Sequence, residues 1–272
     1  MVLPFIHRKP TAQEVEKVRL LLSTFQDGSG MLAKPGGGTL PGWRDFERTV
    51  AAVFNGVNQE NKFIFDVLLS DPETSVGYGI SCKMRRELNR VSKDGRVTIE
   101  LSNSSKKFKD YLNKKGISSD NYKNHAQEVG IGIIELVELW KHEVSIANGG
   151  KIDIDKSGYL ALLYNEVGFY QLFWFRIHLP DPRNIRWYYP EIRTKNGQVK
   201  TAGHLNGDDG SGGRLFEWYS DSGGQLKYYP LATDALWKSE RFILEPLSEE
   251  ARIFGLLTKA KSYFPDQWDN TI

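Results

Sequence analysis

Asp66 stands inside the apolar run Phe63-Ile64-Phe65-Asp66-Val67-Leu68-Leu69, and Ser81 and Lys83 follow it 15 and 17 residues later. A lone charge among such neighbours is costly, so Asp66 needs a cation, a proton or strong hydrogen bonds. Residues two apart on a strand share a face, which puts Ser81 and Lys83 together and Cys82 on the opposite side. A carboxylate and an ammonium meeting at the end of two strands is the arrangement that metal-assisted phosphodiester hydrolysis uses. The carboxylate holds Mg²⁺, a hard cation that seeks oxygen. The metal polarises a phosphoryl oxygen and lowers the pKa of a bound water, while the lysine neutralises charge or orients that water. One carboxylate is a thin Mg²⁺ site, so further acids are expected to converge. Glu47, flanking the Phe46/Val50/Phe54 stripe, and Glu100, 17 residues beyond Lys83, are the candidates. The plainer alternative makes Asp66–Lys83 a structural ion pair and leaves both glutamates solvated.

The elements that must position these groups are legible on either side. Residues 62–70 read as a short strand buried on both faces, the turn-formers Asp71-Pro72-Glu73-Thr74 follow, and a second strand spans Gly77 to Met84. A hairpin that pairs 70 with 77 sets Asp66 opposite Ser81, whereas a slip of one residue sends Asp66 to the other face. Thr11-Ala12-Gln13-Glu14 has capping-box spacing ahead of a first helix, and residues 42–56 read as a second. Between them a loop from Asp27 to Pro41 carries Gly36-Gly37-Gly38 but no following Gly-Lys-Ser/Thr, so it is not a P-loop. Helices are expected over 98–115, 120–146 and 248–263. Strands are expected over 159–165, 168–179, 185–189, 215–220 and 226–230. This mixture predicts an α/β (α+β) fold with a central mixed β-sheet flanked by helices. The expectation is one domain over residues 1–272, with a subdivision into 1–149 and a strand-rich 150–272 at Gly149-Gly150.

Composition narrows the class. The 272 residues are 40% hydrophobic and 26% charged, ample for a sizeable core and unlike a disordered or collagen-like chain. A single cysteine excludes an intramolecular disulfide framework. The start lacks a secretory apolar core, and no apolar run reaches the roughly 20 residues of a membrane helix, so no membrane partner is expected. Net charge is only +2, yet from Lys83 to Lys123 twelve Lys and Arg face five acids, leaving the rest of the chain at −5. A basic block directly after Lys83 suits a phosphate backbone. Arginine is the usual reader of guanine in the major groove, which makes Arg90, Arg86 and Arg85 candidates for base contact. A second basic set, Arg183, Arg186, Arg193, Lys195 and Lys200, interleaves with Trp187, Tyr188 and Tyr189 and is a candidate for phosphate or base contacts on DNA, Lys200 among them. Core packing is the alternative account of those aromatics. The Gly207–Gly213 loop lacks the alternating acids of a calcium site, and the five histidines show no zinc spacing.

Asp66 with Ser81-Cys82-Lys83 on adjacent strands resembles the core of the PD-(D/E)xK nucleases, with serine in place of the usual acid of the tripeptide. That replacement resembles the type II restriction endonucleases that read palindromes containing CCGG. In that group Ser-x-Lys is followed by a helix glutamate that restores the missing acid, and another glutamate comes from the helix before the strands. The resemblance covers about residues 43–102. It implies Glu47, Asp66, Ser81, Lys83 and Glu100 as the catalytic set, with Asp66, Glu100 and Glu47 as Mg²⁺ ligands and Glu87 competing with Glu100. It further implies double-stranded DNA as substrate, a homodimer on a palindromic site, and a cytoplasmic location in a prokaryotic cell. The group's Arg-x-Asp-Arg recognition element has its counterpart in Arg85-Arg86-Glu87-Leu88-Asn89-Arg90, where Asn89 replaces an acid. Asp66 follows Phe65 rather than proline, and lies closer to Ser-x-Lys than is usual there. A second reading remains: a non-catalytic DNA- or carbohydrate-binding protein that uses its aromatic C-terminal strands.

Overall fold

A computed structural model describes residues 2–34, 37–59, 64–210, 213–248 and 261–266. It is a mixed α/β structure with a mixed sheet and flanking helices, divided into two compact units. One holds Met1–Leu88, Leu160–Trp174 and Trp237–Ile272; the other holds Asn89–Tyr159 and Phe175–Leu236. The units interleave along the chain rather than parting at 149/150.

The first unit is built on a seven-stranded sheet. Its order is Trp237–Lys238, Phe169–Arg176, Gly158–Tyr164, Gly77–Arg85, Val67–Ser70 and Val57–Asn58, with Phe242–Ile243 also pairing Phe169–Arg176. Helices Ala12–Thr24 and Trp43–Phe54 pack with each other, and the second lies on the strands around Asp66. The first helix starts where the capping box predicts. Thr11 Oγ1 accepts from Glu14 N at 3.2 Å, and Glu14 Oε2 accepts from Thr11 N at 2.7 Å. Arg8 beside Glu14 holds that carboxyl down at about 2. The second helix buries Phe46, Val50 and Phe54 as its spacing requires. Asp45, three residues in, accepts from Gly42 N and Met31 N at its start. These helices and strands enclose one apolar cluster that includes Val18, Leu22, Phe46, Val50, Leu69, Ile80 and Cys82.

Two expectations near the site change. The strand before the turn runs only from Val67 to Ser70 and lies next to the edge strand, with Val67 and Leu69 buried and Ser70 exposed. It is therefore half-buried rather than central, and Lys62 and Phe63 lie outside the described residues. Asp66 sits just ahead of it. The 98–115 segment is not one helix. Ile99–Asn103 is a strand and Ser105–Lys114 the helix, because β-branched Ile99 is buried in a sheet while Ser104 occupies the helix cap.

The second unit pairs a five-stranded sheet, in the order Ile99–Asn103, Gln225–Tyr228, Arg214–Tyr219, Leu205–Asp208, Arg186–Tyr188, with the helix Ala126–Glu143. That helix buries Val129, Ile133, Leu136 and Val137. Gly130 lets the Trp187 ring approach so closely that a Cβ there would lie 2.0 Å from it. Trp187 in turn stacks on Phe216 at 5.5 Å, so it is core, as the packing account held. Gly207 and Asp208 end a strand rather than open a loop, and Asp209 pairs with Arg96 at 2.7 Å. Of the segment expected to form the last helix, residues 249–260 lie outside the described residues, as does Gly36 of the glycine run. Among the described residues no helix is long and apolar enough to cross a membrane.

Candidate active site

The hairpin takes the register that unites the three residues. Ser70 pairs with Gly77, Leu69 with Tyr78, Leu68 with Gly79 and Val67 with Ile80. Asp66 N donates to Ile80 O at 3.0 Å, which continues the ladder and brings Asp66 to Ser81. Three donors then meet one oxygen. Asp66 Oδ2 accepts from Cys82 N at 2.7 Å, Lys83 Nζ at 3.1 Å and Ser81 Oγ at 3.3 Å. The Lys83 and Asp66 side chains are 19% and 25% exposed, which leaves the pair open to a ligand. Cys82 turns to the other face and into the core, where burial pushes its thiol well above the ordinary range. Gly79 makes room for Phe65: a Cβ at 79 would stand 2.2 Å from that ring, so a small residue here seats the chain just before Asp66.

Glu47 joins this cluster from the second helix. Its carboxyl is pushed up to about 7, first by burial and next by the charge of Asp66, with Lys83, Arg44 and Arg48 pulling the other way. Two carboxyls that repel one another around a single ammonium lack positive charge. A divalent cation supplies it as a proton does, and Mg²⁺ is commonly held by one or two carboxylates with waters completing its shell. The donor set of Asp66 and Glu47 fits that ion. Among the described residues no group of three or more His, Cys, Asp or Glu side chains gathers into a metal site.

Glu100 is not at a helix start. It stands in the Ile99–Asn103 strand of the second unit, opposite Lys227, and accepts from Gln225. Glu87 lies 3.6 Å from Arg85, and exposed Arg86 lies 3.6 Å from Glu166. Arg90 is drawn into the protein. Its guanidinium stacks 4.0 Å from the Tyr229 ring and its Nε donates to Asp94 at 3.0 Å. Lys200 is exposed on the Val199–Thr201 strand, opposite Ile192. Of the basic segment, Arg90, Arg96, Lys115 and Lys123 are held in ion pairs with Asp94, Asp209, Glu135 and Asp221. Lys93, Lys106, Lys107 and Lys114 are exposed.

Sequence reasoning passed over a polar cluster around Glu217 and Asn206, because 215–220 read as an aromatic, apolar strand and Leu205–Asp208 was not expected to be a strand. The alternation in Leu205-Asn206-Gly207 and Phe216-Glu217-Trp218 is the signal that marks it. No family model matches the chain, and no curated protein or solved structure is significantly similar to it.

Proposed function

We propose that this chain is a metal-dependent DNA endonuclease whose hydrolytic centre is Asp66, Lys83 and Glu47. The observation that carries the reading is the convergence of Lys83 Nζ, Ser81 Oγ and Cys82 N on one oxygen of Asp66. That network fixes a carboxylate and an ammonium side by side at an accessible strand end. Mg²⁺ bound by Asp66 and Glu47 would supply Lewis acidity toward a phosphoryl oxygen. Lys83 sits where it neutralises charge that develops on the phosphate or orients the attacking water. Cys82 N and Ser81 hold the Asp66 carboxylate in one orientation, so little reorganisation is needed during reaction. Glu47, close to half-protonated near neutral pH, can hold or release a proton at its carboxyl. Exposed Lys93, Lys106, Lys107 and Lys114 suit contacts to the phosphate backbone. Arg86, also exposed, is the best placed of the three arginines for DNA.

The reading extends to a type II restriction enzyme that cuts a short palindrome as a homodimer, with sites containing CCGG as the first to test. The test is a plasmid digest with Mg²⁺ and with EDTA. Discrete, metal-dependent fragments support the reading, and sequencing their ends gives the cut position. Intact DNA that nonetheless shifts in a gel favours the non-catalytic alternative.

A further inference from the structure

The second unit's sheet carries two contrasting rows. Trp187, Gly207, Phe216, Tyr228 and Ile99 pair across its five strands as one apolar row. The adjacent row, Tyr188, Asn206, Glu217, Lys227 and Glu100, lies on the other face, since side chains alternate along each strand. Its centre is a buried carboxylate rich in donors. Glu217 is 8% exposed. Its Oε2 accepts from Tyr229 Oη at 2.8 Å and Tyr219 Oη at 2.9 Å. Arg214 Nη1 approaches Oε1 at 3.4 Å and His204 Nε2 at 3.8 Å. Directly opposite, Asn206 is wholly buried, yet among the described residues neither its amide oxygen nor its amide nitrogen has a hydrogen-bond partner; nor has Arg214 Nε. Buried polar groups are nearly always paired, so an open amide and, on the neighbouring strand, an open guanidinium nitrogen are groups with hydrogen bonds still to make.

We propose that this face reads base edges of DNA, with Asn206 and Arg214 as its specificity-determining residues; this rests on the DNA-cleaving reading above. An asparagine amide offers a donor and an acceptor side by side, the pattern that matches the adenine edge, and arginine matches the acceptors of guanine. Glu217 holds one nitrogen of the Arg214 guanidinium, which restricts the plane of the group. The surroundings suit the same partner. Lys227 lies 4.9 Å from the Tyr219 ring, and Arg186 lies 4.9 Å from the Tyr188 ring. His204, Arg214, Tyr219 and Lys227 are each half-exposed, and contact with the buried Asn206 amide requires side chains of this kind to turn aside.

The test is a binding selection from short duplexes with a randomised centre, using the full chain with Ca²⁺ in place of Mg²⁺, so that the outcome does not depend on hydrolysis. Wild type should enrich a defined motif. Asn206→Leu, which keeps the branching at Cγ and removes the unpaired amide, should lose about tenfold or more of the preference at one base pair. Arg214→Gln should lose preference at another, and it carries the test if the leucine variant does not fold. Unchanged preferences in folded variants would overturn the inference. So would a wild type that cuts plasmid DNA but enriches no motif, an outcome that spares the nuclease reading. A wild type that neither binds nor cuts DNA removes both.

Discussion

Lys83 Nζ lies 3.1 Å from Asp66 Oδ2, and it does so because the hairpin between them pairs Ser70 with Gly77 and holds that register to its open end. The backbone of Cys82 and the hydroxyl of Ser81 reach the same oxygen, so none of the three bonds engages Oδ1. A carboxylate fixed on one oxygen and open on the other is well prepared for a cation.

Removing the carboxylate should end hydrolysis while sparing much of the binding. Asp66→Ala should lower the rate of plasmid cleavage by at least on the order of 10²–10³, the loss typical when a positioned electrostatic group is deleted. Gel shifts should stay within a few-fold of wild type. Cleavage at the wild-type rate would remove Asp66 from the site.

Glu47 should make stability depend on pH. Its folded pKa of about 7 lies above the ordinary carboxyl value of 4.5, so the folded state holds a proton that the unfolded state gives up. The contribution is complete below 4.5 and lost as pH rises through about 7. Discounted for its partial exposure, the loss is about 1–2 kcal/mol. Urea unfolding at a series of pH values should show Glu47→Gln with a flatter profile over that range. An identical slope in the variant would place the titration elsewhere.

Gly79→Ala should damage the site from behind. The new methyl collides with the Phe65 ring, and the overpacking should cost about 1–3 kcal/mol. Because Phe65 precedes Asp66, cleavage should fall along with the thermal midpoint. Full activity in a destabilised Gly79→Ala protein would show that Asp66 is seated independently of Phe65.

Arg90→Ala should act through folding before it acts on DNA. The guanidinium stacks on Tyr229 and bonds to Asp94, so its loss should cost about 1–2 kcal/mol. Arg90→Lys, lacking the planar group, should recover only part of this. Thermal denaturation without DNA decides the matter: an unchanged midpoint would free Arg90 for base contact.

Local rules written in the chain determined much of the molecule. The first helix starts at a capping box, the second buries the stripe its spacing prescribes, and the hairpin register follows from turn-formers and a period of two. Asp66, Ser81 and Lys83 were therefore legible together, since all the information lies within about twenty residues. Glu100 was not legible, because Ile99–Asn103 is a strand only through its pairing with Gln225–Tyr228, more than a hundred residues away. The surroundings of Arg90 were legible only in part: Asp94 stands four residues on along the same helix, whereas the Tyr229 ring comes from a distant strand end. Composition can say that a chain has basic residues to spare. Only tertiary packing decides which of them remain exposed, because each charge is either solvated or paired by whatever the fold brings beside it.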